Sequence, residues 1–213
     1  MSKMKKRMIY LIRHTEPLRE KGEKVFLGQS NPPLSTAGIR QAESLALALC
    51  GRELEAVYCS DLRRSRQTAS IIAIKHGWIP KVCTALREIR LGEWEGLTFA
   101  EVQDRYPREF RERGENIVTY RPPGGESFAD LAQRVLPAFK RIIAETGRNI
   151  AIVGHAGVNR VILCHLLRLD LERLFSIRQE YGHVTVIQQS NNLFRIGRIG
   201  PEGEDLLTGE YVH

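Results

Sequence analysis

The sequence predicts an α/β protein in which helices cover both faces of a mainly parallel sheet. Apolar runs typical of buried strands, at residues 8–12 and 149–153, alternate along the chain with stretches that have helical apolar spacing. Each of these two runs is followed by a histidine, His14 and His155, and then by a loop or a new helix. We expect a three-layer α/β/α sandwich, with residues 1–213 forming one domain.

The first predicted strand, residues 8–12, ends in Arg13 and His14. Ligands of open α/β sheets bind beyond the carboxyl ends of the strands, so this pair stands where chemistry is expected. Taken alone, the pair is more often an ordinary loop feature. The loop that follows, residues 15–34, is long for a simple connection, which is typical of functional loops.

Two helices and a strand are predicted next. Ser35 is expected to cap the first helix, whose apolar stripe begins at Ile39. After a strand at residues 54–60, Ser60 or Asp61 is expected to cap the second helix. Arginines in its first turns oppose the helix dipole unless an anion binds there, and a solvated basic face is the alternative. These arginines are Arg63, Arg64 and Arg66.

The second half of the chain begins with a loop at residues 86–96, whose glycines and carboxylates suggest acids aimed at a ligand. One polar helix is predicted over residues 98–113, and residues 97–122 are expected to form a small helical cap. Ser127 starts the clearest helix with a capping box. Residues 183–199 are predicted to form a closing hairpin, and the tail from residue 201 is expected to be loosely held.

Composition narrows the class of protein. Hydrophobic residues make up 42% and charged residues 27%, and no apolar run approaches the roughly 20 residues of a membrane span. The apolar run at residues 8–12 is too short for a signal peptide, and four cysteines without paired spacing fit a reducing cytoplasm. The net charge of +7 fits either nucleic acid or phosphorylated anions as partners. Because several arginines lie inside motifs rather than in one run, we expect phosphorylated anions, and no nucleic acid or membrane partner is expected.

Four segments resemble the motifs of the histidine phosphatase superfamily, also called phosphoglycerate-mutase-like, and occur in the order of that family. They are residues 11–16 (Leu-Ile-Arg-His-Thr-Glu), 60–69, 86–96 and 154–157 (Gly-His-Ala-Gly). The resemblance implies the phosphoglycerate-mutase-like fold and catalysis without a metal or cofactor. The sequence itself offers no obvious cluster of metal ligands.

The resemblance also implies the role of each site residue. His14 would be the nucleophile and form a phosphohistidine, while Arg13, Arg64 and His155 would bind the phosphoryl oxygens. Glu88 would donate a proton to the leaving group and then activate water. Arginine forks and a neutral imidazole suit this chemistry, since phosphoryl transfer depends mostly on positioning and charge. The alternatives for the acid are Glu93 and Glu95.

Further substrate contacts are expected from Thr15, Gly28 and Ala156, together with the phosphoryl-binding residues. Thr15 departs from the family pattern, which has glycine after the histidine, and its Cβ constrains the loop. Ala156 replaces a residue that is often glycine, and Leu27 stands where a polar residue is common. Substrate specificity therefore does not carry over from the family.

The short segment at residues 97–122 favours the phosphatase branch, because similar mutases carry a longer insertion there. Residues 177–182 look most like α-ribazole phosphatases or broad-specificity phosphatases. We expect a phosphomonoesterase acting on a small phosphorylated metabolite, with α-ribazole 5′-phosphate as one candidate. The alternatives are a cofactor-dependent phosphoglycerate mutase and a non-catalytic basic binding module. The oligomeric state, monomer or homodimer, is left open.

Overall fold

A computed structural model describes residues 6–19, 25–191, 193–199 and 205–212. These residues form strands and α-helices in the alternating order that the sequence predicts for an α/β protein. The strands are β1 (Lys6–Arg13), β2 (Ala56–Cys59), β3 (Lys81–Val82), β4 (Ile150–Gly154), β5 (Val184–Ser190), β6 (Leu193–Ile199) and β7 (Asp205–Val212). The helices are α1 (Thr36–Ala48), α2 (Arg63–Ile74), α3 (Phe99–Arg105), α4 (Pro107–Glu115), α5 (Phe128–Glu145) and α6 (Ala156–Leu167).

One sheet joins the strands in the order β3-β2-β4-β1-β5-β6-β7. The strands β3, β2, β4 and β1 run parallel, whereas β5, β6 and β7 each run antiparallel to their neighbour. Arg13 pairs with Gly154, and Cys59 pairs with Val153. The carboxyl ends of β1, β2 and β4 therefore meet at the same edge of the sheet.

Helices cover both faces of the sheet, as predicted. Alternate residues of β1 face opposite sides, so Ile9 and Leu11 pack into one core and Tyr10 and Ile12 into the other. The first core is completed by α5 and α6, and the second by α1 and α2. The predicted α/β class with a phosphoglycerate-mutase-like arrangement is confirmed.

Two predicted helix boundaries are wrong. The helix expected over residues 98–113 is two helices, because Tyr106 leaves the helical region (φ −132°, ψ 54°) and Pro107 starts α4. Neither predicted residue caps α2, whose N-cap is Leu62 without a side-chain hydrogen bond. Ser60 instead hydrogen-bonds His155, and Asp61 pairs with Arg87.

Other elements follow the prediction more closely. Ser35 caps α1, although Ile39 on the predicted stripe is 40% exposed. Ser127 and Asp130 form the predicted capping box, and α5 continues through Pro137. The closing hairpin is β5 and β6, with residue 192 of its turn outside the described residues.

The expected loose tail is wrong where the structure describes it. Residues 200–204, the start of that tail, lie outside the described residues. Residues Asp205–Val212 form β7, which pairs antiparallel with β6. Among the helices of the described chain, none has both the length and the apolar character needed to cross a membrane.

Candidate active site

The sheet brings four of the predicted site residues together at its carboxyl edge. His14 follows β1 and His155 follows β4, while Arg64 lies in the first turn of α2. Glu88 lies in the loop between two 3₁₀ turns, Thr84–Leu86 and Gly92–Trp94. Because β1 and β4 are adjacent, the two histidine rings lie with their centroids 5.1 Å apart.

His14 has the hydrogen bonds of a neutral imidazole. Its Nδ1 lies 2.8 Å from the carbonyl oxygen of Thr15, which only accepts, so Nδ1 carries the proton and Nε2 keeps its lone pair. That Nε2 accepts a hydrogen bond from Nε of Arg64 at 3.2 Å. Burial, followed by the charges of Arg64 and Arg13, holds the pKa of His14 well below its usual value. The imidazole is therefore neutral at physiological pH.

Arg64 is the cation that donates a hydrogen bond to His14. Its side chain is fully buried, whereas Arg63 and Arg66 on the same helix are exposed. Its remaining nitrogens donate to the carbonyl oxygens of Ser30 and, at 2.7 Å, Gly28. Burial lowers the pKa of Arg64 to about 10, so the guanidinium stays charged at neutral pH. Arg64 lies in the first turn of α2, where the helix dipole favours a bound anion that the arginine can pair with.

Arg13 is held by the segment that precedes β5. Its Nη1 donates to the carbonyl oxygen of Gln179, and its guanidinium carbon lies 3.9 Å from the ring centre of Tyr181. Arg19 approaches the same ring at 5.2 Å. This cation–π contact fixes the plane of the Arg13 guanidinium. The motifs predicted Arg13 but not Tyr181, because the two residues are remote in sequence.

His155 completes the cluster of donors. Its Nε2 lies 2.7 Å from Oγ of Ser60, and burial together with Arg64 holds its pKa well below the usual value. Within the described part of the chain, Nδ1 of His155 and Nε of Arg13 are buried without a hydrogen-bond partner. A buried polar atom left unpaired costs about 1–3 kcal/mol. Two such atoms in residues near His14 indicate that this site binds a ligand with hydrogen-bond acceptors.

Glu88 supplies the carboxyl group of the pocket. Its oxygens lie 3.2 and 3.1 Å from the backbone nitrogen of Gly157 at the start of α6, and Oε1 also accepts from the nitrogen of Ile89. Glu88 lines the same pocket as His14 and Arg64. The carboxyl group is thus placed on the wall of the pocket that His14 also lines.

Arg134 of α5 holds the loop that carries Glu88. It donates to the carbonyl oxygens of Ala85, Arg87 and Glu88 at 2.8, 2.7 and 2.9 Å, and it pairs with Glu126. Sequence reasoning missed this residue. Its carbonyl partners are 46 to 49 residues away in the chain, and backbone carbonyls leave no mark in a sequence.

The two alternative acids are engaged elsewhere. Glu95 accepts from the backbone nitrogens of Gln29 and Leu91 at 2.9 and 3.1 Å, which ties the long loop to the loop of Glu88. Glu93 accepts from the hydroxyl of Tyr106 at 3.2 Å. Neither carboxylate is among the residues lining the pocket. The geometry favours Glu88 as the acid.

The remaining predicted substrate contacts divide into two groups. Gly28 and Ala156 line the pocket. Thr15 is fully buried, and its nitrogen and Oγ1 lie 3.2 and 3.1 Å from Oγ1 of Thr68 in α2. The side chain of Thr15 therefore faces α2 rather than the pocket. Within the described residues, no group of three or more His, Cys, Asp or Glu residues is arranged to hold a metal ion.

Comparison with known proteins gives the same family as the motifs. The profile of the histidine phosphatase superfamily (branch 1) matches residues 9–200. Glucosyl-3-phosphoglycerate phosphatase of Mycobacterium tuberculosis is 32% identical over 79% of this chain and 78% of its own length. Human 6-phosphofructo-2-kinase/fructose-2,6-bisphosphatase 4 is 34% identical over 79% of this chain. The chain spans only 34% of the length of that human relative.

Solved structures agree with the fold. Bacillus stearothermophilus YhfR has a TM-score of 0.80 and 32% identity, covering 90% of this chain and 95% of its own. The α-ribazole phosphatase of Shigella flexneri has a TM-score of 0.78 over 96% of this chain and 95% of its own. At 23% identity, the latter shows a shared fold alone. With the family profile spanning nearly the whole chain and all four motifs in place, the protein belongs to the histidine phosphatase superfamily, branch 1.

Proposed function

We propose that the protein is a metal-independent phosphomonoesterase that hydrolyses a small phosphorylated metabolite through a phosphohistidine at His14. The observation that carries this proposal is the state of the imidazole: Nδ1–H is held by the Thr15 carbonyl, and the unprotonated Nε2 keeps its lone pair, which accepts from Arg64 until a phosphoryl group takes that place. The name of the mycobacterial relative supports a phosphatase over a mutase. The short segment between the Glu88 loop and α5 supports the same choice.

In the first step, Nε2 of His14 attacks phosphorus and the bond from phosphorus to the leaving oxygen breaks. Glu88 in its protonated form gives its proton to that oxygen, so the product leaves as a neutral alcohol. Arg13, Arg64 and His155 donate hydrogen bonds to the phosphoryl oxygens as charge spreads over them. Nδ1 of His155 and Nε of Arg13, both unpartnered in the described chain, are available for this role.

In the second step, Glu88 as a carboxylate removes a proton from water, whose oxygen attacks phosphorus. The bond to Nε2 breaks, inorganic phosphate leaves, and His14 returns to its neutral form. The hydrogen bond to the Thr15 carbonyl stabilises the imidazole in both steps, because the phosphorylated ring keeps the Nδ1 proton. All proton transfers use groups that line the pocket.

A rapid-quench experiment with a ³²P-labelled phosphomonoester tests the proposal. We expect acid-labile, base-stable label on the wild-type protein, no label on His14→Ala, and a loss of turnover of about three orders of magnitude or more. Treatment with a chelator is expected to leave the wild-type rate unchanged. A His14→Ala variant that keeps full turnover would rule out this mechanism.

The identity of the metabolite is a separate question. Residues 177–182 suggest α-ribazole 5′-phosphate as one candidate. We would compare kcat/KM for this ester with the values for sugar phosphates, phosphoglycerates and nucleotides. With a catalytic amount of 2,3-bisphosphoglycerate present, rapid conversion of 3-phosphoglycerate to 2-phosphoglycerate with little free phosphate would instead establish a mutase. Salt-dependent binding of nucleic acid without any phosphate release would favour the non-catalytic module. Location in the cytoplasm stays a prediction, and a homodimer stays one open alternative.

A further inference from the structure

Two half-exposed phenyl rings line the pocket beyond the phosphate-binding groups. Phe99 is 48% exposed and Phe175 is 49% exposed, and both lie in the wall that also contains Arg13 and Tyr181. Phe99 begins α3, whereas Phe175 belongs to the 3₁₀ turn Leu171–Ser176 that follows α6. Two separate parts of the fold thus present apolar rings to one cleft, where a ligand could cover them.

Each exposed ring is anchored by a buried one. Phe99 stacks at 4.2 Å between ring centres on Phe26, which is 5% exposed. Phe175 meets Phe128 edge-on at 5.7 Å, and Phe128 is 4% exposed. Because each anchor comes from another element, the two outer rings have little freedom to move on ligand binding. Such preorganisation lowers the entropy lost on binding.

The groups around these rings suit a planar π system. The guanidinium of Arg160 lies 5.0 Å from the ring centre of Phe175 and is held by the carbonyl oxygen of Ile177 at 3.0 Å. Tyr181 already stacks on Arg13 in the same wall. Aromatic faces and guanidinium planes are the side-chain groups that pack best against a flat aromatic ligand. Other exposed apolar side chains, such as Leu47 and Ile79, do not line this pocket.

We infer that the leaving group of the substrate carries a planar aromatic ring that packs against Phe99 and Phe175. The phosphate would then lie at His14 and Arg64, which line the same pocket. This inference rests on the proposed phosphatase function and names the substrate class: a phosphate ester whose alcohol part carries an aromatic ring. The rings act in binding, and the bond-breaking steps remain those of the phosphohistidine pathway.

Substrates matched in reactivity test the inference. Ethyl phosphate, 2-cyclohexylethyl phosphate and 2-phenylethyl phosphate all release a primary alcohol and differ only in the ring. We expect kcat/KM for the phenyl ester to exceed that for ethyl phosphate by about tenfold, which corresponds to about 1.4 kcal/mol of ring packing. A cyclohexyl ester as good as the phenyl ester, or equal values for all three, would overturn the inference.

Substitutions of the two phenyl rings test whether these rings cause the preference for the phenyl ester. In the double variant Phe99→Leu with Phe175→Leu, the ratio of phenyl to ethyl kcat/KM should fall to about twofold. The control is Trp78→Leu, an aromatic residue of similar exposure (47%) that does not line the pocket, and it should keep the tenfold ratio. Thermal unfolding of each variant confirms that it is folded.

The outcomes separate this inference from the proposed function. A double variant that keeps the wild-type ratio overturns the aromatic subsite while phosphohistidine formation still supports the phosphatase. A wild-type protein that hydrolyses none of the three esters and takes no label from any phosphomonoester overturns both.

Discussion

Arg64 has two separable effects on His14: it donates a hydrogen bond to Nε2, and its charge lowers the pKa of the imidazole. Both effects act at the atom that is proposed to attack phosphorus. In the free enzyme the Arg64 contact holds the ring in place. With substrate bound, the same guanidinium would face the phosphoryl oxygens as negative charge develops on them.

A pair of substitutions separates these effects. In Arg64→Gln, loss of the charge should raise the pKa of His14, so the acid limb of the kcat/KM profile should move to higher pH. In Arg64→Lys the charge remains, so the acid limb should stay near its wild-type position. Both variants should lose about 100-fold or more in kcat/KM at pH 7.5, since neither restores the guanidinium fork. An unmoved acid limb in Arg64→Gln would contradict this assignment.

At the scale of elements, the loop that carries Glu88 depends on α5. The carbonyl groups of Ala85, Arg87 and Glu88 accept from Arg134, and Glu126 just before α5 balances its charge. The capping box of Ser127 and Asp130 fixes where α5 starts. The proposed acid is therefore positioned by a helix that contributes no atom to the proposed reaction.

Arg134→Met tests this coupling. The shorter, uncharged side chain removes the three Arg134 hydrogen bonds and leaves the Glu88 carbonyl with Nε2 of Gln29 as its donor, so Glu88 should be held less firmly. We expect hydrolysis of the phosphohistidine, which needs Glu88 as a base, to slow about tenfold or more, while the free energy of unfolding falls by about 1–3 kcal/mol. Single-turnover kinetics measure the first quantity and urea unfolding the second.

The control for Arg134→Met lies on the same helix. Arg141 is 63% exposed and approaches Glu145 only at 4.0 Å, so Arg141→Met should leave both quantities nearly unchanged. Equal losses in the two variants would mean that helix charge, rather than the loop contacts, is responsible.

These examples show which features a sequence can predict. His14, Arg64, Glu88 and His155 were predictable because each lies in a short motif next to a strand end or a helix start. Arg134 was not, because its partners are distant carbonyl groups. The break before Pro107 was missed because apolar spacing continues across it, although proline at a helix start is a recognised signal.

At the scale of the whole molecule, the site makes stability depend on pH. Burial holds the pKa values of His14 and His155 well below 6.5 in the folded protein, whereas both return to about 6.5 in the unfolded chain. Below pH 6.5 the unfolded chain binds protons that the folded protein does not. Their contribution to stability is therefore fully present above pH 6.5 and is lost as the pH falls toward the folded pKa values.

Each of these histidines should lower the free energy of unfolding by about 1.4 kcal/mol per pH unit below 6.5, giving about 3 kcal/mol in total between pH 7.5 and 5.5. Urea unfolding at the two pH values measures this difference. The double variant His14→Gln with His155→Gln should lose most of it, because neither glutamine titrates. The control His165→Gln removes an exposed histidine and should keep most of the wild-type difference. Ordinary carboxylates titrate below this pH range and should contribute little to the difference. A pH dependence that is unchanged in the double variant would contradict the assignment to His14 and His155.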